Sequence, residues 1–378
     1  MRRHITIAAV LAASIAAPLA AQHVHDVPAR PALWAGADSN SANVYYLMGV
    51  QRLEREPRVA AAAFYWAERL NPGWAQALYG RRVALMMSDQ RRLVDYMEGK
   101  RALANDREVL AIDSLLLRSV ERDPFLHRQL DKPLLMMYFR NVFSQAVREN
   151  TGQTNDALAE YALQTALNDA DPEMKAWLDY SAGRFPAAIE GYQRALRRAS
   201  NPNPLRLHLA RIHYLSGEYA QAAQLLREAI DDQRGRDSRQ VVRIYESKGV
   251  MEFSRAAALE RAGDAAGARE AYGRALTEDI SFWPAHRRLS QLAMDAGDSA
   301  TAQSEMALAV ELAPAEADLR YEHGILLLQA NHVVEGAAEL QKAAELDPFY
   351  AAPHWILAAV HDQSGMSAEA LEHYRAYL

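Results

Sequence analysis

The feature that most constrains the fold of this sequence is a phrase that returns after 34 residues, AVELAP at 309–314 and AAELDP at 343–348. Six blocks share one frame, in which a Gly or Asn is followed after five residues by a small residue and after nine by a large apolar one. Every block but the last adds a small residue three positions later. These spacings lie on one face of an α-helix, so the frame predicts helices. The blocks begin at Gly183, Gly217, Gly263, Gly297, Asn331 and Gly365.

A second row of small residues precedes these turn residues by seven positions: Ala176, Ala210, Ala256, Ser290, Gly324 and Ala358. Two antiparallel helices approach closely only where their side chains are small. The Gly or Asn between the helices supplies the left-handed backbone conformation that ends a helix. Each block therefore predicts a tight helical hairpin.

In this frame the chain resembles the tetratricopeptide repeat family, whose period is 34 residues. Pro314 and Pro348 match the proline of that family's pattern, and Gly324 matches its glycine. The resemblance covers residues 169–378, and a looser copy, with Tyr45 and Phe64 in frame, opens the range 41–105. It implies an all-α fold, a right-handed α-solenoid of antiparallel helical hairpins. We expect one continuous stack, because each hairpin buries its faces against its neighbours.

The remaining segments do not follow this frame. Residues 1–21 carry Arg2 and Arg3, an apolar run and small residues at Ala20 and Ala21, which predicts a cleaved signal peptide and a periplasmic or secreted protein. Residues 22–40 contain two prolines and predict an extended lead-in. Residues 106–168 predict an irregular helical segment. Around 231–248 the spacing between turn residues widens from 34 to 46, which indicates a solvated loop or a docking loop.

Composition excludes several classes of function. The chain contains no cysteine, which excludes disulfides and thiolate sites. Its formal net charge of −6 argues against a general nucleic-acid binder. Beyond the signal peptide, no apolar run is long enough for an integral membrane segment.

No catalytic motif is found. The sequence lacks a Gly-rich phosphate loop, HExxH and Gly-x-Ser-x-Gly, so we predict no catalytic residue, no cofactor and no metal site. His323, His354 and His361 are expected inside the stack, each with one hydrogen bond. The apolar stretch 134–143 predicts a buried helix. Two alternatives stay open: an enzyme or enzyme subunit with its site in residues 73–168, and a metal-handling protein that uses His23 and His25.

The resemblance implies a scaffold that binds a protein or peptide along the first helices of its hairpins. The residues carried over onto this concave groove are Leu207, Arg211, Tyr214, Phe253, Pro284, Arg287, Gln291, Asp318, Tyr321, Ile325, Trp355 and Asp362. The Lys and Asn that clamp a terminal carboxylate in some members of the family are absent. Phe253, Tyr321, Ile325 and Trp355 predict an apolar groove instead, in which Arg211 and Arg287 would orient a carboxylate. The alternative is that some of these rings pack between adjacent helices.

Overall fold

The computed structural model describes residues 27–53, 55–88, 107–125, 172–181, 183–233 and 248–378. Within these ranges the regular secondary structure is entirely helical. No helix in them is long and apolar enough to cross a membrane. The signal peptide, His23 and His25, the stretch 134–143 and most of the insertion lie outside the described residues, and those predictions stay predictions.

The described residues form sixteen helices. The first four are α1 (Ala42–Arg52), α2 (Pro57–Leu70), α3 (Ala75–Ser88) and α4 (Arg107–Arg122). The next six are α5 (Pro172–Ser181), α6 (Phe185–Leu196), α7 (Asn203–Leu215), α8 (Tyr219–Gln233), α9 (Lys248–Arg261) and α10 (Ala265–Glu278). The last six are α11 (Trp283–Asp295), α12 (Ser299–Leu312), α13 (Ala317–Gln329), α14 (Val333–Leu346), α15 (Ala351–Gln363) and α16 (Ser367–Tyr377).

These helices pack in consecutive pairs. Extensive contacts join α5 to α6, α7 to α8, α9 to α10, α11 to α12, α13 to α14 and α15 to α16. Each pair corresponds to one of the six blocks of the sequence frame. Successive pairs also contact each other, for example α8 with α9 and α14 with α15. The predicted all-α solenoid of helical hairpins is confirmed.

The turn inside each hairpin has the conformation that the sequence predicts. All six turn residues have a positive φ, between 65° at Asn331 and 83° at Gly263. The residue after each turn residue donates its N–H to a carbonyl five positions back, as Glu218 does to His213 at 2.8 Å and Asp298 to Ala293 at 2.8 Å. This bond gives a hydrogen-bond donor to a carbonyl that would otherwise have none at the end of the helix. Glycine is free of the steric cost of that conformation, and asparagine is the residue that tolerates it next best.

The small residues lie at the helix contacts. All six residues of the second small row are buried, and so are the six small residues that lie five positions after the turn residues. A Cβ atom on Gly324 would lie 3.0 Å from the carbonyl oxygen of Gly336, so the backbones of α13 and α14 are almost in contact there. The large residues of the frame, such as Tyr272 and Leu340, fill the space beside these contacts and are fully buried.

The chain divides into two compact units. Unit 1 comprises Met1–Ala29, Val94–Leu117 and Asp279–Leu378, and unit 2 comprises Arg30–Leu93 and Arg118–Glu278. The core of unit 2 includes a cluster built from α5 to α9 with Tyr192, Leu207 and Leu226. In unit 1, one cluster surrounds Trp283 and Met306, and another surrounds Leu340 and Leu357.

Candidate functional site

In unit 2 the predicted groove residues are covered. Leu207 and Arg211 on α7 and Phe253 on α9 are almost fully buried, and Tyr214 is half-buried. The frame places these residues on the first helices of two successive hairpins, and α7 and α9 do hold them. They do not form an open surface, however. Another part of unit 2 lies over Leu207, Arg211 and Tyr214, and the ring of Phe253 packs against that of Tyr272 on α10, with centroids 5.3 Å apart.

The covering segment is the turn that follows α4. Asp123, Pro124 and Phe125 lie against α7 and α9, and each of the three makes a specific contact there. The ring of Phe125 packs against that of Tyr214 with centroids 4.9 Å apart. The hydroxyl of Ser254 donates to the carbonyl oxygen of Pro124 at 2.7 Å. The carboxylate of Asp123 lies 3.4 Å from Nη2 of Arg211.

Arg211 has a partner for each of its three nitrogens. Nε donates to the hydroxyl of Tyr180 at 2.6 Å, Nη1 donates to the carbonyl oxygen of Phe125, and Nη2 pairs with Asp123. A guanidinium presents its N–H donors in a fixed planar geometry. Each of the three nitrogens of Arg211 already has an acceptor within unit 2. We therefore revise the predicted role of Arg211: it holds a segment of its own unit rather than the carboxylate of a ligand.

The guanidinium of Arg287 in unit 1 is likewise hydrogen-bonded to side chains of its own unit. It donates through Nε and Nη2 to the two carboxylate oxygens of Glu322, the first at 3.0 Å, and through Nη1 to Asp318 at 3.1 Å. Two carboxylates thus face one buried guanidinium. The predicted role of Arg287 in orienting a ligand's carboxylate is revised too, because these donors are occupied by carboxylates of α13. Gln291, one turn further on, accepts a hydrogen bond from Arg288 at 2.6 Å, and Pro284 is buried.

Tyr321 and Ile325 lie half-buried on α13. Both pack against the cluster of Leu340 and Leu357, and the ring of Tyr321 lies 5.3 Å from that of Tyr350. Burial raises the pKa of Tyr350, and the charges of Asp318 and Glu322 together with Tyr321 raise it further. The hydroxyl is therefore neutral at ordinary pH and available as a hydrogen-bond donor.

Trp355 is the most exposed of the predicted groove rings. It lies on α15 with 49% of its surface exposed, in contact with two tyrosines of α16. The ring centroids are 5.7 Å apart for Tyr374 and 5.2 Å apart for Tyr377. Tyr377 is itself 43% exposed, and Asp362 on α15 is exposed as well. We call Trp355, Tyr374 and Tyr377 the aromatic surface.

The structure thus assembles the predicted rings into two groups, Tyr321 with Tyr350 and Trp355 with two tyrosines. Sequence reasoning missed Tyr350, Tyr374 and Tyr377 as surface candidates. The sequence did carry a signal for Tyr377, because it stands where the other five blocks have a small residue. A large ring at that position does not fit between closely packed helices, and in the structure it is exposed.

The histidines form a cluster between α15 and α16. Nδ1 of His354 lies 3.0 Å from Nδ1 of His373, and the rings of His361 and His373 lie 5.1 Å apart. His361 is buried as predicted. Neither of its ring nitrogens has a hydrogen-bond partner among the described residues, so the expected single hydrogen bond is wrong for His361. Within the same described ranges, no group of three or more His, Asp or Glu has the geometry of a metal site.

An open cleft lies at the turn between α7 and α8. It has a volume of about 740 Å³ and is lined by His213, Glu218 and Tyr219, among others. Nδ1 of His213 is hydrogen-bonded to Glu218.

Comparison with known proteins adds one family match. Residues 173–238 match the model of the family described as tetratricopeptide repeat. No curated protein matches the chain.

Several solved structures are similar to parts of the chain. MamA from Desulfovibrio magneticus RS-1, residues 41 to the end, is 19% identical over 46% of this chain and 92% of its own, with a TM-score of 0.39. YrrB, described as a TPR protein with an unusual peptide-binding site, is 17% identical over 56% of this chain and 95% of its own, with a TM-score of 0.37. The C-terminal part of a TPR repeat-containing protein from Cytophaga hutchinsonii is 16% identical over 54% of this chain and 76% of its own, with a TM-score of 0.45. Similarity at these levels carries no argument about function.

Proposed function

We propose that this chain, of which residues 173–238 match the tetratricopeptide repeat family, is a non-catalytic scaffold that binds another protein. The proposed binding face lies in unit 1. It consists of the aromatic surface on α15 and α16 and of the ring pair Tyr321 and Tyr350. The N-terminal sequence pattern supports a place of action in the periplasm or outside the cell. Mass spectrometry of exported protein should then show a chain that begins at Ala21 or Gln22, and a retained Met1 would contradict this.

The observation that carries the proposal is the exposure of the aromatic surface. Trp355 and Tyr377 each expose more than two fifths of their area, although their rings contact each other. Covering an exposed aromatic side chain is worth about 1.5–3 kcal/mol. Tyrosine and tryptophan are also the residue types that most often dominate binding at protein interfaces. Contact with a partner would therefore remove exposed aromatic area from water on this part of unit 1.

The charges nearby indicate the chemistry of the partner. On α13, Asp318 and Glu322 together carry one negative charge more than Arg287 neutralises. Asp362 on α15 adds an exposed carboxylate. Since complementary charge raises association rates and specificity, the partner segment should present an apolar or aromatic side chain together with Lys or Arg. This differs from the acidic partner that the two arginines predict from sequence alone.

The test is a comparison of two variants in partner capture. The full chain without its signal peptide is used as bait in an extract of the compartment to which it is exported, and the captured protein is identified and purified. Trp355→Ala should weaken its affinity about tenfold or more, because the lost ring is exposed and contributes to binding rather than to the core. The matched control is Leu312→Ala on α12, which removes another exposed apolar side chain of unit 1.

Circular dichroism must show that both variants remain folded. The proposal predicts that the Leu312→Ala variant binds as the unmodified protein does. Equal affinity of the Trp355→Ala variant and the unmodified protein would remove the aromatic surface from consideration. Adding Tyr321→Ala to Trp355→Ala then shows whether the ring pair on α13 belongs to the same binding face.

A further inference from the structure

The tripeptide Asp-Pro-Phe occurs twice in the described chain, at 123–125 and at 347–349. Both copies form the same turn. In each, the carboxylate of the aspartate accepts the N–H of the phenylalanine two residues later, at 3.0 Å in both copies. This bond is the local device by which Asp stabilises a turn. The first copy lies in the groove of α7 and α9 in unit 2, and the second joins α14 to α15 in unit 1.

The two copies differ in their surroundings. Phe125 is 1% exposed, in the same cluster as Leu207 and Met251, whereas Phe349 is 57% exposed. The turn therefore forms with its ring buried in a groove and also with its ring largely in water. The geometry of the turn therefore does not depend on burial of its ring in a groove.

The groove of α7 and α9 recognises each part of the turn by a different group. The ring enters the apolar cluster beside Tyr214, the proline carbonyl accepts from Ser254, and the aspartate pairs with Arg211. Arg211 also donates to the carbonyl of Phe125. The groove thus binds the turn through a buried arginine, a buried serine and an apolar pocket. These groups contact one carboxylate, two backbone carbonyls and one ring. This combination of an aromatic anchor with a few oriented polar groups is characteristic of a peptide-binding site.

We infer that the groove of α7 and α9 is a second binding site, specific for an Asp-Pro-Phe turn, and that the chain's own residues 123–125 occupy it as an internal ligand. A partner that presents the same turn competes with the internal copy for the groove. The internal copy is tethered to unit 2 and has a high effective concentration, so it holds the site closed to weak ligands. This site is separate from the aromatic surface of unit 1 and does not depend on it.

The test removes the internal ring and offers the turn from solution. The full chain with Phe125→Ala has a cavity where the ring packs, and such apolar cavities bind small apolar groups. The probe is the peptide acetyl-Arg-Asp-Pro-Phe-amide, with the sequence of residues 122–125. Isothermal titration should show binding to the Phe125→Ala variant that is about tenfold or more tighter than to the unmodified protein. The peptide should also raise the unfolding midpoint of that variant alone.

Three controls separate recognition of the turn from simple filling of a cavity. A probe peptide with Ala in place of Phe should bind the Phe125→Ala variant no more tightly than it binds the unmodified protein. Ser254→Ala on the Phe125→Ala background should weaken binding of the probe several-fold, because it removes the bond to the proline carbonyl. The variant Phe64→Ala, which opens a cavity in a different cluster of unit 2, should gain no affinity for the probe.

Two results would overturn the inference. One is a folded Phe125→Ala variant that binds the probe no more tightly than the unmodified protein does. The other is a Phe64→Ala variant whose affinity for the probe rises as much as that of the Phe125→Ala variant. If Phe125→Ala does not fold, the milder Phe125→Leu takes its place with the unfolding midpoint as the readout. A midpoint of that variant that the probe leaves unchanged would also contradict the site.

Discussion

At the scale of single residues, the closest approach in the hairpins depends on the absence of a side chain. An added Cβ on Gly324 would lie 2.8 Å from Cγ of Leu340 and 3.0 Å from the carbonyl oxygen of Gly336. Neither atom can move far, because Leu340 is fully buried and Gly336 belongs to the backbone of α14. On α10, by contrast, nothing lies within 4 Å of the Cβ position of Gly273.

We therefore predict opposite effects for the same substitution at these two glycines. Gly324→Ala should lower the free energy of unfolding by about 1–3 kcal/mol, because the added methyl overpacks a close contact. Gly273→Ala should raise it by about 0.5–1 kcal/mol, because alanine is the better helix former and meets open space. Urea unfolding followed by circular dichroism measures both. Stabilisation by Gly324→Ala would show that α13 and α14 do not approach as described.

The sequence predicted residues of this kind because their neighbours lie within one period. The turn conformation of Asn331, the burial of Tyr272 and the small residues between helices all follow from the local frame. The partners of Arg287 could also have been found, since Asp318 and Glu322 lie 31 and 35 residues further on, about one repeat away. The covering of Arg211 could not, because Asp123 and Phe125 are 88 and 86 residues away in a part of the chain without a frame.

At the scale of helices, α15 and α16 are joined by imidazoles as well as by apolar side chains. His354 and His361 of α15 face His373 of α16. Burial lowers the pKa of His373 to about 4, and the neighbouring charges of His361 and His354 contribute to this shift. Burial also lowers the pKa of His354. A hydrogen bond between two Nδ1 atoms requires that one ring donates and the other accepts, which two imidazolium ions cannot do.

This cluster predicts that the hairpin loses stability in acid. An unfolded histidine takes up a proton near pH 6.5, whereas His373 in the folded protein does so only near pH 4. The unfolded state therefore binds more protons between these values, and stability falls as the pH drops from about 6.5 to about 4. His373→Gln removes this contribution, so its unfolding midpoint should fall less between pH 7.5 and pH 4.5 than that of the unmodified protein.

The control for this prediction is His332→Gln, which removes an exposed histidine at the turn before α14. Differential scanning calorimetry at a series of pH values gives the midpoints, and the carboxylates contribute equally to all three proteins. The His332→Gln variant should follow the unmodified protein. Identical pH dependence of the His373→Gln variant and the unmodified protein would contradict a lowered pKa of His373 in the folded protein.

At the scale of the whole molecule, two surfaces have different roles in this account. In unit 1 the aromatic surface is exposed and adjoins helices that carry an excess of carboxylates. In unit 2 the equivalent first helices are covered by residues 123–125. The repeat frame alone assigns both sets of residues to one binding groove, because it treats every repeat alike. Only the three-dimensional structure distinguishes the open set from the covered set.

Hydrogen exchange on the complex with the captured partner shows which helices the partner covers. We expect the partner to slow amide exchange in α15 and α16, and in α13 if the ring pair takes part. The exposed faces of α8 and α12 should exchange at the same rate in the free and the bound protein. Protection confined to α8, α12 or other helices, with α15 and α16 unchanged, would contradict a scaffold that binds its partner through the aromatic surface.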